Sequence, residues 1–360
     1  MPIESISISR FRNLQPAELL LSPGLNLITG ANAAGKTSLL EAFFVLARGR
    51  SFRTTQLDQL IQSGHSDFQI VVMFLTPEGR RIPVGIQRSQ GRFECRINGR
   101  ASKRLSELAA LFPVQWMGGN LHTLVEDGPA YRRQFLDWGL FHVKPDYIVL
   151  WKRFNKLLKQ RNAALRTGAG RRAIEAWNPE LADAGERLHA SRQDYLKKLL
   201  SVFVDINPEF PTLREPVAIG YRKGWRSEGS YLDVLNESLA SDMESRFTRA
   251  GPQRGELSFT VAGKPATEQL SRGQQKVFIT ALQVAQAKLL QQETGKSSLF
   301  LLDDLGAELD AQNQLATLRL LSDIHAQVFV STIEEPPLTG IEQDHIRRFH
   351  VKHGAVSEVV

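Results

Sequence analysis

The chain has 360 residues, of which 42% are hydrophobic and 23% charged; that is enough apolar material for a sizeable core and excludes a disordered or fibrous polymer. Lys and Arg (45) outnumber Asp and Glu (38), and the formal net charge of +7 suits a polyanionic partner such as nucleic acid. The lone Cys95 excludes an internal disulfide, Met1 to Asn13 lacks the continuous apolar stretch of a secretion signal, and no run is long enough to span a bilayer. The expected location is therefore cytoplasmic, with no membrane partner. In chain order, Ile6 and Ile8 alternate with Ser5, Ser7 and Ser9 as a strand, and Leu25, Leu27 and Ile28 form a second strand running to Gly30. Leu39, Phe43 and Leu46 then recur at helical spacing, with Gly49 as the stop.

From Val71 to about Val114 short strands are broken by turn signals at Pro77-Glu78-Gly79 and Asn98-Gly99, which predicts an antiparallel subsheet. From Tyr147, Trp151, Phe154, Leu158 and Leu165 hold one helical face until Thr167-Gly168-Ala169-Gly170 breaks it. Ile174, Trp177, Leu181, Ala184, Leu188, Tyr195 and Leu199 form a second face, with Asn178 expected to cap a helix restarted at Pro179. The two halves read as a helical hairpin with limbs on the order of 30 Å each. After Glu256, Phe278, Leu282, Ala285 and Leu289 mark a helix and Ser298–Leu302 a buried strand. Leu315, Leu318 and Leu321 mark another helix, and Gln327–Ser331 another strand. This alternation implies a parallel sheet with crossover helices. The middle of the chain then reads as an insertion (131–249) into one discontinuous α/β domain (1–130 and 250–360).

Gly30-Ala31-Asn32-Ala33-Ala34-Gly35-Lys36-Thr37, followed by Ser38, matches the phosphate-loop pattern G-x-x-x-x-G-K-[ST] between a predicted strand and a predicted helix. Small residues let backbone N–H groups wrap phosphate oxygens, and the helix N-terminus adds partial positive charge. Lys36 is expected to reach the β- and γ-phosphates of ATP, and Thr37 to offer its hydroxyl to Mg²⁺. Leu299 to Leu302 end in the paired acids Asp303 and Asp304. Asp303 is expected to hold the metal, and Asp304 to orient or deprotonate the attacking water.

Leu270-Ser271-Arg272-Gly273-Gln274-Gln275-Lys276 opens the helix containing Phe278. It resembles the signature of ABC ATPases, which implies that Ser271, Arg272, Gly273 and Gln274 of one copy close over the γ-phosphate bound by another, making ATP part of a homodimer interface. Ser271 can also cap that helix. Glu308-Leu309-Asp310 follows the acids as the D-loop of that superfamily does, and a plain helix cap by Asp310 is an equal reading. The expected fold is thus α/β: an ABC-ATPase head with a mixed sheet and an antiparallel subdomain, plus an inserted helical hairpin domain.

Phe11-Arg12-Asn13-Leu14, Gly30 to Glu41, Gly49-Arg50-Ser51-Phe52-Arg53, Arg132 to Leu136 with Asp137-Trp138-Gly139, Gly251-Pro252-Gln253-Arg254, Leu270 to Lys276 and Leu301 to Asp310 together resemble the RecF family of bacterial recombination mediators. The resemblance implies a DNA-stimulated ATPase that dimerises on DNA, at a duplex or a duplex/single-strand junction. It also implies work with RecR and RecO to help RecA load at gaps during repair and fork restart. Three departures stand out. Asp304 replaces the glutamate usual in transporter ATPases, which predicts slow turnover; Ser331-Thr332 stands where transporters carry His; and Met117-Gly118-Gly119-Asn120 lacks the family's Pro-Glu beside Gln115, the residue matched to the nucleotide sensor. Arg48, Arg50 and Arg53, and Lys152, Arg153, Lys156 and Lys159, are candidates for backbone contacts to DNA. A transporter nucleotide-binding subunit and an SMC- or Rad50-like chromosome protein share these motifs, but the interval from Lys36 to Ser271 is long for the first and the predicted limbs short for the second.

Overall fold

The computed structural model describes residues 2–359 apart from Pro77, Gln90, Lys103, Arg104, Asn120 and Ser227. Pro77 of the expected turn and Asn120 of the 117–120 stretch therefore lie outside the described residues. The chain divides into two units: Met1–Leu121 with Ile206–Thr212 and Lys276–Val360, and His122–Asp205 with Leu213–Gln275.

In the first unit β1 (Ile3–Ser9) and β2 (Ala17–Leu20) precede β3 (Leu25–Thr29), and α1 (Lys36–Arg48) follows the phosphate loop. Next come β4 (Asp67–Leu75), β5 (Arg81–Ser89), β6 (Arg92–Ile97), β7 (Arg100–Ala101), α2 (Leu105–Leu111) and β8 (Val114–Met117). Strands β1 and β2 join β4 to β7 in an antiparallel sheet of order β2-β1-β4-β5-β6-β7. Asn98 (φ 50°) and Gly99 (φ 75°) make the turn between β6 and β7, where positive φ at both central positions matches the strand twist. The antiparallel reading fails at its far end: Leu105–Leu111 is helical, and Val114–Met117 pairs parallel with a later strand. A four-residue buried run carries no alternation by which to assign it to one sheet or the other.

The second unit contains α3 (Thr123–Glu126), α4 (Pro129–Val143), α5 (Tyr147–Arg166), α6 (Arg171–Glu175) and α7 (Asn178–Ile206). After these come β9 (Val217–Arg222), α8 (Tyr231–Glu237), α9 (Leu239–Ser245), β10 (Glu256–Val261), β11 (Lys264–Pro265) and α10 (Ala266–Gln269). Strands β11-β10-β9 form a small antiparallel sheet absent from the sequence reading. Helix α5 has 20 residues and α7 has 29, so at 1.5 Å per residue the second limb is roughly 43 Å, longer than expected. Trp151 leaves the expected seam: it is 37% exposed, and its indole N–H donates to Asp137 Oδ2 at 3.2 Å. The buried face runs instead through Tyr147, Phe154, Leu157, Arg161 and Leu165. The helix does restart at Asn178, but that side chain is no cap. Its carbonyl accepts from Arg161 Nε at 2.8 Å and its amide donates to Asn236 at 2.8 Å. Arg161 is fully buried and also bonds Asp242 and Thr248 (2.8 and 2.7 Å), so its charge is paired inside the apolar unit, where an unpaired charge would be destabilising.

Helix α11 (Arg272–Thr294) begins in the second unit and runs into the first, followed by β12 (Leu299–Leu302), α12 (Leu305–Glu308), α13 (Ala311–Asp323), β13 (Gln327–Thr332), β14 (Ile346–Lys352) and β15 (Ala355–Val359). The second large sheet has the order β15-β14-β3-β13-β12-β8; its members from β14 to β8 are parallel, and only β15 runs antiparallel. Helix α1 is buried at eleven consecutive or near-consecutive positions, Lys36 and Ser38 to Ala47. Phe43 meets Phe329 of the parallel sheet with ring centroids 4.2 Å apart, and the shared core continues through Phe11, Phe68 and Phe74 on the antiparallel side. Burial all round, at about 1.5–3 kcal/mol per large apolar side chain, fixes the helix that carries Lys36 and Thr37.

Candidate nucleotide site

Strand β3 ends at Thr29, and the chain turns through Gly30 (φ 147°), Ala33 (φ 62°) and Gly35 (φ 122°) into α1. A Cβ on Gly30 would lie 2.3 Å from the Val351 carbonyl oxygen, so close packing against β14 as well as backbone torsion requires glycine there. The turn between β14 and β15 also supports the loop, since Gly354 N–H donates to the Ala34 carbonyl at 2.9 Å. No side chain caps α1, leaving its first amides available to an anion. The Lys36 ammonium is buried and donates to the carbonyls of Gly30 (2.6 Å) and Ala31 (3.0 Å).

Strands β3, β13 and β12 lie side by side, which brings the acids at the end of β12 beside the loop. Thr37 Oγ1 donates to the Asp303 carboxylate, 3.0 Å from Oδ1 and 3.1 Å from Oδ2, across 266 residues of sequence. Ser331 Oγ donates to Asp303 Oδ1 (2.5 Å) and accepts the Asp304 amide (2.9 Å). Burial pushes the Asp303 carboxyl above its ordinary value; the Asp304 charge adds to this, while the bonds from Ser331 and Thr37 and the charge of Lys36 oppose it. Asp304 is exposed and left-handed (φ 50°, ψ 53°), at the start of α12 without capping it. Such a conformation stores strain.

A cavity of about 620 Å³ opens over these groups, lined by Ala31 to Ala33, Gly35 to Ser38, Asp303, Asp304 and Ser331, with Arg12, Asn13, Arg53, Gln59 and Ile61 on the remaining wall. All of these belong to the first unit. Hydroxyl and carboxylate oxygens 3.0 Å apart match adjacent ligands of an octahedral ion with bonds of about 2.1 Å, so Thr37 and Asp303 fit Mg²⁺. Ser331 is the site residue that motif reading undervalued. Arg12 and Asn13 appeared only as part of a resemblance, and Arg53 as a DNA contact.

Gln115 is not in this cavity. It is buried on β8, and its amide donates to the Gln283 carbonyl of α11 at 3.1 Å, so it packs strand against helix. Ser271, Arg272, Gly273 and Gln274 do not line the cavity either. Ser271 and Gln274 form a reciprocal cap at the start of α11, with Ser271 N–H donating to Gln274 Oε1 (2.9 Å) and Gln274 N–H to Ser271 Oγ (3.3 Å). Lys276, one turn on, pairs with Glu308 at 2.9 Å. Asp310 caps α13 by accepting the Asn313 amide at 2.9 Å.

The basic candidates separate. Arg48 is largely buried over the Phe44 ring, and burial together with the Arg50 charge lowers its pKa to about 10; Arg53 lines the cavity. Arg50, Lys152, Arg153, Lys156 and Lys159 are exposed. The resembling segments of the second unit meet in a polar network. Arg132 reaches Glu256 (2.6 Å) and the Asp127 carbonyl (2.6 Å), and Arg133 the Gly255 carbonyl (2.9 Å). Arg192 joins Asp137 (2.9 and 3.0 Å) to the Pro252 carbonyl (2.8 Å).

A phosphate loop entering α1 from a parallel sheet, paired acids after the next strand but one, and an antiparallel subsheet define an ABC-type ATPase head. Residues 2–357 match the RecF/RecN/SMC N terminal domain family. The chain is 39% identical to the DNA replication and repair protein RecF of Nitrosococcus oceani, with all of both chains covered, and 38% identical to that of Pseudomonas aeruginosa, over 99% of this chain and 98% of the relative. It belongs to the RecF family. Among solved structures, the recombination mediator RecF-ATP of the RecFOR pathway superposes with a TM-score of 0.85 at 26% identity, covering 100% of this chain and 98% of that one. An Smc head bound to a domain of ScpA shares the fold at a TM-score of 0.61 and 15% identity, covering 100% of this chain and 97% of that one. No described helix is long and apolar enough to cross a membrane.

Proposed function

We propose that the protein is an ATP-dependent recombination mediator that dimerises around ATP on DNA and hydrolyses it slowly, as a switch. The observation that carries the nucleotide reading is the Thr37–Asp303 contact, which joins phosphate loop and acidic strand into one oxygen-ligand pair. With ATP bound, Lys36 leaves the Gly30 and Ala31 carbonyls for the β- and γ-phosphates, and the amides at the start of α1 hold phosphate oxygens. Thr37 and Asp303 would hold Mg²⁺, which supplies positive charge against the developing phosphate charge. Asp304 orients and deprotonates the attacking water, while Ser331 keeps Asp303 and the Asp304 backbone in place.

The signature of a second copy, with Ser271, Gly273 and Gln274 exposing the N-terminus of α11, completes the site over the γ-phosphate. DNA is held by backbone phosphates, at a duplex or a duplex/single-strand junction, through exposed groups such as Arg50 and Lys152. RecR and RecO are the partners suggested by the RecFOR pathway named for the solved RecF-ATP relative, and RecA is the one the family resemblance implies. Sizing with and without ATP and Mg²⁺ is the test: a dimer is expected with nucleotide, lost in Lys36→Ala and Ser271→Arg. A chain that stays monomeric when saturated with nucleotide refutes the reading. DNA affinity should fall steeply with salt.

A further inference from the structure

Glu41 lies on α1, fully buried, one turn beyond Thr37. The phosphate chemistry does not touch it. Its carboxylate accepts a bidentate pair from Arg12, with Nε and Nη2 both at 2.9 Å. Ser51 Oγ donates to the same carboxylate at 2.5 Å, and Arg53 Nη1 stands 3.8 Å away. Ser51 Oγ in turn accepts the amides of Arg53 (2.8 Å) and Thr54 (3.1 Å), fixing the turn that presents Arg53. Arg12 also bonds the Gln59 carbonyl at 3.3 Å. One buried carboxylate thus gathers three segments that line the cavity, those carrying Arg12, Arg53 and Gln59.

The two guanidiniums are not held alike. Arg12 is 20% exposed in a fork geometry, whereas Arg53 is 49% exposed and loosely placed. Two cations on one anion leave the Glu41 cluster itself with one net positive charge, and a desolvated carboxylate holds its partners more firmly than a neutral amide would. We propose that Glu41 is the positioning residue of the nucleotide cavity: its charge aims the Arg12 and Arg53 side chains, and nucleotide affinity depends on that charge. The inference rests on the cavity being the ATP site.

The test measures ATP affinity and steady-state hydrolysis in the full chain for wild type, Glu41→Gln, Arg53→Ala and their double variant, with Lys36→Ala as control and thermal unfolding for each. Loss of one charge-assisted contact set predicts ATP binding about tenfold or more weaker in Glu41→Gln. The double variant should fall short of the product of the single effects, because Glu41 acts partly through Arg53. Glu41→Asp, which keeps the charge, should recover part of the affinity. If Lys36→Ala binds ATP normally, the nucleotide reading itself falls. If Lys36→Ala loses ATP but folded Glu41→Gln binds it like wild type, or the single effects multiply, the role of Glu41 is overturned. Should Glu41→Gln fail to fold, Ser51→Ala, which removes one bond to the carboxylate and frees the Arg53 turn, must weaken ATP binding; unchanged binding there overturns the proposal equally.

Discussion

Lengthening Asp304 by one methylene, to Glu, should accelerate hydrolysis. Asp304 lines the cavity beside Lys36 and Thr37, and its backbone is pinned, with the amide 2.9 Å from Ser331 Oγ and φ at 50°. With the backbone fixed, the extra carbon advances the carboxylate by about 1.5 Å toward the water it serves. Since a misplacement of about 1 Å costs on the order of a hundredfold, Asp304→Glu is expected to raise the chemical step by roughly ten- to a hundredfold and leave ATP affinity almost unchanged. A cost accompanies the gain: Glu tolerates the left-handed conformation less well than Asp, so stability should fall by about 1 kcal/mol. Asp304→Asn removes the base and should slow hydrolysis by about a hundredfold or more while leaving ATP-driven dimerisation intact. Single-turnover phosphate release with DNA present, read beside sizing, separates these outcomes. If Asp304→Glu is no faster than wild type and Asp304→Asn no slower, Asp304 does not serve the water and the explanation for slow turnover is wrong.

Asp303→Asn should stabilise the nucleotide-free protein at neutral pH while abolishing Mg²⁺-dependent ATP binding. Burial raises the Asp303 pKa in the folded state, so folding favours its protonated form, and the stability this contributes is present at acid pH and lost as pH rises through the raised pKa. The difference in unfolding temperature between Asp303→Asn and wild type should accordingly widen from acid to neutral pH; a constant difference contradicts the assignment. Gly354→Ala should weaken ATP binding and lower the unfolding temperature, because its Cβ would sit 1.9 Å from the Asn13 carbonyl oxygen at φ 79° and push the β14–β15 turn off the phosphate loop. Calorimetric titration of ATP into the folded variant checks this, and wild-type affinity would show that the loop holds its shape without the turn.

Some features were legible because they are local. The phosphate loop, the Gly49 stop of α1, the Asn98-Gly99 turn and the Ser271 cap each depend on a few adjacent residues with particular torsional or hydrogen-bonding capacity. The two long helices of the second unit were readable from their apolar spacing, except where a polar partner altered the face. Arg161 is buried because Asp242 and Asn178 neutralise and bond it, and Trp151 turns outward to Asp137. No period in the sequence announces such pairs.

The sequence by itself determined the chemistry on offer: a lysine and a threonine behind a glycine-rich turn, two acids ending an apolar strand, and a serine opening a long helix. Tertiary structure alone decided which of these meet. Parallel pairing of β3, β13 and β12 sets Thr37 against Asp303 and introduces Ser331 between the acids, and burial of α1 between two sheets converts Glu41 into an anchor for Arg12 and Arg53. The same packing sends the Gln115 amide to the backbone of α11, away from the cavity. Spacing along a chain constrains neighbours within a turn or two, whereas contacts across hundreds of residues are selected by the burial and hydrogen bonding of the whole core.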